Sequence, residues 1–454
     1  MAMQLQLHTI TIEDLIPADH FLRKLDAALN LSFVYEITAP LYSKKYGRPP
    51  IDPVMLVKYL LVGFLYGIPS ERQIELRIQT DVALRWYLGL DLFDAVPDHS
   101  TISQLRRRKP KFRKIFRRLF EEVVRQCIEK GLASGRLVGT DSTHVKANAS
   151  RSSEELVEIE EEAGLYWDRL DKYEEEAAEE LARKTGKKHR KRTRQVKKAK
   201  RRSHRRVSRT DPEAGYMDRP GKPKGMHYLV HEAVDMDHGI ILDVVATAGN
   251  SSDLAPYLQQ LERVNREVLP VESAAADSAY DAPLVHRELE KQGIRFYTPP
   301  RKVSAEGKAE ITREQFNYDK GRDVYVCPEQ KELRLTRIRR SPTGLSWVYT
   351  AAKSDCQSCP LRDKCLSESV RDKSKVLERS YFADAVERDF ARVKTAEYQE
   401  ALMKRQIFCE GNFAAQKREH NLSRILRRGL EAAEDHGLLS ATALNLKRMI
   451  KHMN

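Results

Sequence analysis

The sequence predicts a mixed α/β protein with a helical N-terminal domain and two insertions. Three observations carry this expectation. Residues from about 20 to 133 repeat apolar side chains at helical spacing, and from Arg136 short β-branched runs alternate with helical stretches. Two further segments, one highly charged and one holding cysteines, interrupt that alternation. At 454 residues the chain also exceeds the roughly 250–300 at which a single hydrophobic core stops growing, so several domains are expected.

In the first domain, 1–133, Asp52-Pro53 reads as an N-cap with a first-turn proline, and Ser70-Glu-Arg-Gln73 as a capping box. Phe112, Ile115, Phe116, Leu119, Phe120, Val123 and Val124 recur as a core-facing stripe. The same stretch holds nine Lys/Arg between Arg106 and Arg118, so one helix side is expected to pack on protein while the other faces a polyanion, with Arg106, Arg107 and Arg108 as contact candidates. The longest apolar run, Tyr59 to Ile68, is half the roughly 20 residues a bilayer requires and reads as a buried helix. The N-terminal residues lack a basic segment followed by a long apolar one, so a cytoplasmic location without a membrane partner is expected.

The expected sheet comprises Arg136–Val145, Met226–His231, Gly239–Val245, Val271–Asp277 and Ile294–Thr298, with helices near 254–268 and 283–292. The core thus spans 134–299 and resumes at 381–454, where 381–430 again reads as helical. The first insertion, 150–225, pairs an acidic helical stretch (Glu154 to Glu180, thirteen carboxylates) with Arg183 to Arg206, which has fifteen Lys/Arg and no acid. So charged a segment cannot bury enough apolar surface to fold alone; it is expected to touch nucleic acid or to pair with the acidic stretch. The second insertion, 300–380, carries Cys327, Cys356, Cys359 and Cys365, whose spacing makes a candidate tetrahedral zinc set; Cys127 and Cys409 read as buried thiols.

Asp141 is an acid inside an apolar strand, and Asp277 ends another strand of the same sheet, so the two can meet. Paired carboxylates on rigid elements suit two-metal phosphodiester chemistry, although either acid alone also fits a cap or turn. The segments GTDSTHVKANAS (139–150), AADSAYDAP (275–283) and CEGNFAAQKREHNLSRILRRGL (409–430) resemble the DDE transposases of bacterial insertion sequences, in particular the IS5/IS1182-like, IS4-related group. So do GRPPIDPVMLVKYLLVGFLYGIPSERQI in the N-terminal domain, CPEQKEL at 327–333 and CQSCPLRDKC at 356–365.

This resemblance implies an RNase H-like catalytic core, a helical N-terminal DNA-binding domain, and a triad of Asp141, Asp277 and Glu410 holding two Mg2+ or Mn2+ ions. It also implies element-end and target DNA as partners, a homodimer working at two ends, and association with the bacterial nucleoid. Glu397, Glu400 and Glu419 share the helical segment, and Glu410 is preferred for its surroundings. The related Tyr-x2-Arg-x3-Glu-x6-Lys signature is met by Glu410 and Lys417 only: Met403 and Gln406 stand at its Tyr and Arg positions, and Arg405 is one place early. Arg405, Lys417, Arg418 and Arg424 are the DNA-contact candidates here, with Lys417 and Arg424 expected on the helix face of Glu410. A metal-dependent nuclease without strand transfer, or a DNA-binding protein that no longer cleaves, stays open beside a transposase.

Overall fold

The computed structural model describes residues 10–41, 51–108, 114–161, 165–186, 201–301, 310–341, 344–366 and 373–453. Seven helices come first: α1 (Phe21–Ala28), α2 (Phe33–Thr38), α3 (Pro53–Leu65), α4 (Glu71–Thr80), α5 (Val82–Leu88), α6 (His99–Arg108) and α7 (Lys114–Glu129). Asp52 caps α3, accepting from the Val54 and Met55 amides with Pro53 in the first turn, and Ser70 caps α4 through the Gln73 amide. The apolar stripe of α7 from Ile115 to Val124 is buried.

The central sheet contains β1 (Val138–Lys146), β4 (Gly215–Met217), β5 (Gly225–Asp235), β6 (Ile241–Ala248), β7 (Ser273–Ala275) and β8 (Arg295–Tyr297). Its principal order is β6-β5-β1-β7-β8: β1, β5 and β6 are antiparallel, whereas β7 and β8 run parallel to β1. The parallel strands are reached through α9 (Leu254–Arg263) and α10 (Pro283–Lys291), giving a mixed sheet of RNase H-like order.

In the first insertion, the acidic stretch expected to be helical divides into two elements. Glu154–Glu161 is a strand, β2, paired antiparallel with β3 (Arg201–Ser208), the end of the basic arm. Leu156 and the β-branched Val157 and Ile159 favour the strand, and Arg206 of β3, 3.7 Å from Glu154, adds cross-strand attraction. Residues Leu165–Thr185 form α8. Its charged side chains, acidic and basic, serve other partners: Arg340 Nη1 lies 2.9 Å from Glu174, Lys184 bridges to Asp323 at 2.8 Å, and Arg169 ties the helix to Glu262 and Glu288 of the core. The middle of the basic arm, 187–200, lies outside the described residues.

The second insertion is an antiparallel sheet of β9 (Asn317–Asp319), β10 (Val324–Val326), β11 (Glu332–Ser341), β12 (Gly344–Ala351) and β13 (Val376–Ser380), with α11 (Lys353–Gln357) and α12 (Arg362–Cys365). The chain then forms α13 (Ala383–Phe390), α14 (Ala396–Arg405), a π turn over Gln406–Glu410, α15 (Gly411–Glu419) and α16 (Leu430–Lys451). The 381–430 segment is therefore not helical throughout. After α15 it runs extended along β1, where the Lys146 amide donates to Ser423 O (3.2 Å) and the Ile425 amide to Lys146 O (2.9 Å).

Most of α16 is buried, between the sheet and the N-terminal helices. Residues of α3 and α7, of β1, β5 and β6, and of α16 join one continuous apolar cluster, so no break in packing marks the 133/134 boundary. Polar contacts reinforce this junction. Arg117 pairs with Asp243 (3.0 Å) and Glu434, and is thus removed from the free basic face expected of its segment. Asn421 donates to the carbonyls of Gly63 and Ile68, and Gly67, at φ +63°, sits where a Cβ would lie 2.9 Å from Glu419 O.

Candidate active site

Asp141 is the fourth residue of β1, opposite Glu232 of β5, and its Oδ1 accepts from the Ser142 amide at 2.8 Å. Two residues earlier, on the same strand face, Gly139 permits a close approach. A Cβ there would lie 1.8 Å from Met236 Cε and 3.1 Å from Cys409 Sγ, so the π turn packs directly on the strand. Asp277 follows β7 by two residues and caps a short 3-10 turn, its Oδ1 accepting from the Ala279 amide at 2.8 Å. The turn role and the approach to Asp141 thus coexist, because the second oxygen of Asp277 is left to face the site. Glu410 closes the π turn at the start of α15.

These three acids come together on one side chain. Arg405 Nη2 lies 2.7 Å from Asp141 Oδ2 and 3.9 Å from Asp277 Oδ2, while Nη1 lies 3.7 Å from Glu410 Oε1. Exposure rises outward across the site, from 12% for the Arg405 side chain and 16% for Asp141 to 41% for Asp277 and 56% for Glu410. Burial pushes the Asp141 carboxyl up to about 6, with Asp277 and Glu410 adding to the rise and Arg405 and the Ser142 amide opposing it. The other glutamates of the segment are engaged elsewhere: Glu397 with Arg295, Glu400 with Lys404, and Glu419 with Arg418 and Lys447.

The π turn explains why Arg405 reaches Glu410 from one position too far. On an α-helix, residues five apart point roughly 140° away from each other. In a π turn the ring closes from i to i+5, so residues five apart share a face as residues four apart do in an α-helix. Counting along the sequence assumes the α register and misplaces Arg405 by that one residue.

The cationic candidates separate. Lys417 is half-buried on α15, beside Lys222 and near His144 and His227; burial and the Lys222 charge lower its pKa, and burial with Lys417, His227 and Lys222 holds His144 at about 4. Arg418 is exposed and paired with Glu419 at 2.6 Å. Arg424 does not continue the face of α15, which ends at Glu419; it is exposed on the extended segment bridged to Lys146, at the end of the strand that carries Asp141. Arg106, Arg107 and Arg108 end α6, and their side chains lie outside the described residues.

One residue was not singled out in the sequence. Glu232 is fully buried opposite Asp141; burial raises its carboxyl to about 8, against the opposing effect of Gln416 Nε2, which donates to both its oxygens at 2.8 and 3.0 Å. The available signal was an acid inside the apolar run Tyr228 to Val234.

Carboxylates suit hard divalent cations, and the three acids already draw one cation, the Arg405 guanidinium, among them. In the second insertion, Cys327, Cys356, Cys359 and Cys365 are free and partly buried; the Lys331 amide donates to Cys327 Sγ (3.3 Å) and the Lys375 amide to Cys356 Sγ (3.5 Å). Burial raises the Cys365 thiol; Lys375 opposes this, while the other three cysteines add to it, so the four share one neighbourhood. Among the described residues, only Glu75, Asp98 and His99 set three metal-ligand atoms within 4.8 Å of one another.

Residues 10–108 match the family described as Transposase domain (DUF772), and residues 326–450 match Transposase DDE domain. In two separate segments the chain is thus similar to transposase domains. The DDE match includes Glu410, Lys417 and all four clustered cysteines, and lies beyond Asp141 and Asp277. No curated protein matches the chain. Among solved structures, a piggyBac transposase synaptic complex with hairpin DNA aligns at 10% identity and TM-score 0.36, over 94% of this chain and 72% of that one. The Mos1 transposase paired-end complex aligns at 12% identity and TM-score 0.16 over 56% and 61%, and the Mos1 strand transfer complex at 12% and 0.16 over 58% and 63%. Among the described residues, no helix is long and apolar enough to cross a membrane.

Proposed function

We propose that the chain is an insertion-sequence transposase of the IS5/IS1182-like group, which cuts element ends and joins them to target DNA. Supporting this is the convergence of Asp141, Asp277 and Glu410, from segments more than a hundred residues apart, on one guanidinium. Asp141, Asp277 and Glu410 would hold two Mg2+ or Mn2+ ions. When bound, such ions activate a water or 3′-hydroxyl nucleophile and stabilise the leaving oxygen.

The chain's own residues supply position and charge. The Ser142 and Ala279 amides each hold one oxygen of their acid, so the other points into the site. Lys417, Lys222 and Arg424 would offer cations to the DNA backbone, and Arg106, Arg107 and Arg108 of the N-terminal region are read as further DNA contacts. Two element ends require two such sites, so the working unit is a homodimer. The cysteine quartet is read as a structural Zn2+ site that pins the turn after β10 to the α11–α12 segment; metal analysis should find one zinc per chain, and a zinc-free folded protein would remove that reading.

The deciding experiment incubates the protein with Mg2+ and DNA carrying the element ends, then sizes the products. Nicked or excised ends together with joined target DNA support the proposal. Cleavage without joined products would make the protein a nuclease, and binding without cleavage a DNA-binding protein.

A further inference from the structure

We infer that Arg405 is an internal counter-cation that closes the triad in the metal-free protein, competes with divalent ions for it, and is drawn away by DNA phosphate. This rests on the proposed assignment of Asp141, Asp277 and Glu410 as metal-holding acids.

The geometry is that of a substitute ion. One guanidinium is within 4 Å of all three carboxylates, nearest the most buried. A cation in that place keeps three acids from repelling one another, and divalent ions held by the same oxygens cannot share it. Arg405 is also poorly anchored otherwise: its buried Nε has no hydrogen-bond partner among the described residues, so the acids are what holds the head group. Its backbone lies where α14 meets the π turn, so the side chain emerges beside Glu410 rather than on the opposite side of the helix.

A guanidinium released from the acids is a bidentate phosphate ligand. DNA lying along Lys417 and Arg424 would therefore compete with the triad for Arg405, and its success would free the acids for metal. Coupling of this kind is reciprocal: DNA raises metal affinity by the same factor that metal raises DNA affinity. The protein would stay metal-poor until DNA is bound.

The test measures Mn2+ binding to the full chain by titration, reading free Mn2+ by electron paramagnetic resonance, with and without a short random-sequence duplex. For the unaltered protein, the duplex should tighten Mn2+ binding several-fold. Arg405→Ala should bind Mn2+ about tenfold more tightly without DNA and lose most of the duplex effect. Arg405→Lys, which keeps a charge but cannot span three acids, should fall between. Melting curves in EDTA accompany each variant: Arg405→Ala should melt at a lower temperature without metal and regain it with Mn2+. If both variants bind Mn2+ no more tightly than the unaltered protein while Asp141→Asn abolishes binding, Arg405 is not a competitor. If Asp141→Asn leaves Mn2+ binding intact, the triad assignment itself fails.

Discussion

The sheet side and the helix side of the candidate site are built on opposite principles. Asp141 sits in the middle of β1 and Asp277 just past the end of β7, each with one oxygen fixed by a neighbouring amide, on a sheet whose close packing leaves Gly139 no room for a Cβ. Arg405 and Glu410 sit on either side of a π turn, with the carboxylate half exposed and the guanidinium held by charge alone. For the proposed function, in which the site admits metal and DNA, this division would let one side set where the reacting atoms go while the other yields.

The largest expected effect tests whether both sides are needed at once. Asp141→Asn, Asp277→Asn or Glu410→Gln should each lower Mg2+-dependent cleavage of element-end DNA by at least about 10²–10³-fold, the usual cost of removing one preorganised charge-stabilising group. Product yield in a gel assay checks it, and cleavage surviving in any one variant would exclude that acid. Next in size, Gly139→Leu should cost about 1–3 kcal/mol or more, because Met236 and Cys409 already occupy the added volume; urea denaturation reads this directly.

Glu232 sharpens the sheet side further. Its folded value near 8 against an ordinary 4.5 means the folded protein keeps a proton that the unfolded chain has released, so stability falls as pH rises from about 4.5 to about 8. Glu232→Gln should flatten that slope between pH 6 and 8 and stabilise the protein at pH 8 by about 1–3 kcal/mol. Denaturation in EDTA at both pH values is the measurement, and equal slopes in the two proteins would refute it.

On the helix side, deleting Gln406 should turn the π turn into an α turn and leave Arg405 and Glu410 on one face, with a loss of melting temperature of only a few degrees. Deleting Ala414 in α15 rotates Gln416 away from Glu232 and should do more damage. The smallest effect is expected at Arg418→Ala, an exposed side chain paired only with its neighbour, at no more than about 0.5 kcal/mol.

The legibility of the sequence followed the same division. Strands of the core announced themselves as apolar runs, and Val138–Lys146, Gly225–Asp235 and Ile241–Ala248 lie where those runs do. Asp277 was legible as an acid at a strand end, although β7 itself is only three residues long. The helix side was read in a uniform 3.6-residue register. That register fails twice, at the π turn, which realigns Arg405, and after Glu419, where Arg424 leaves the helix for the edge of β1. The acidic stretch misled through composition: glutamate favours helix, but Leu156, Val157 and Ile159 facing a cationic strand outweigh that preference in β2.

The position of α16 has a consequence for how the protein is made. This helix covers α3 and α7 on one side and the central sheet on the other, and every one of those partners leaves the ribosome before it does. Until α16 is synthesised, both surfaces remain greasy and unpaired, so cooperative folding has to wait until everything from α3 through α16 has been translated. A frameshift or stop codon anywhere upstream would leave a chain without its keystone, and such a fragment should be cleared by proteolysis rather than persist as a partial DNA binder.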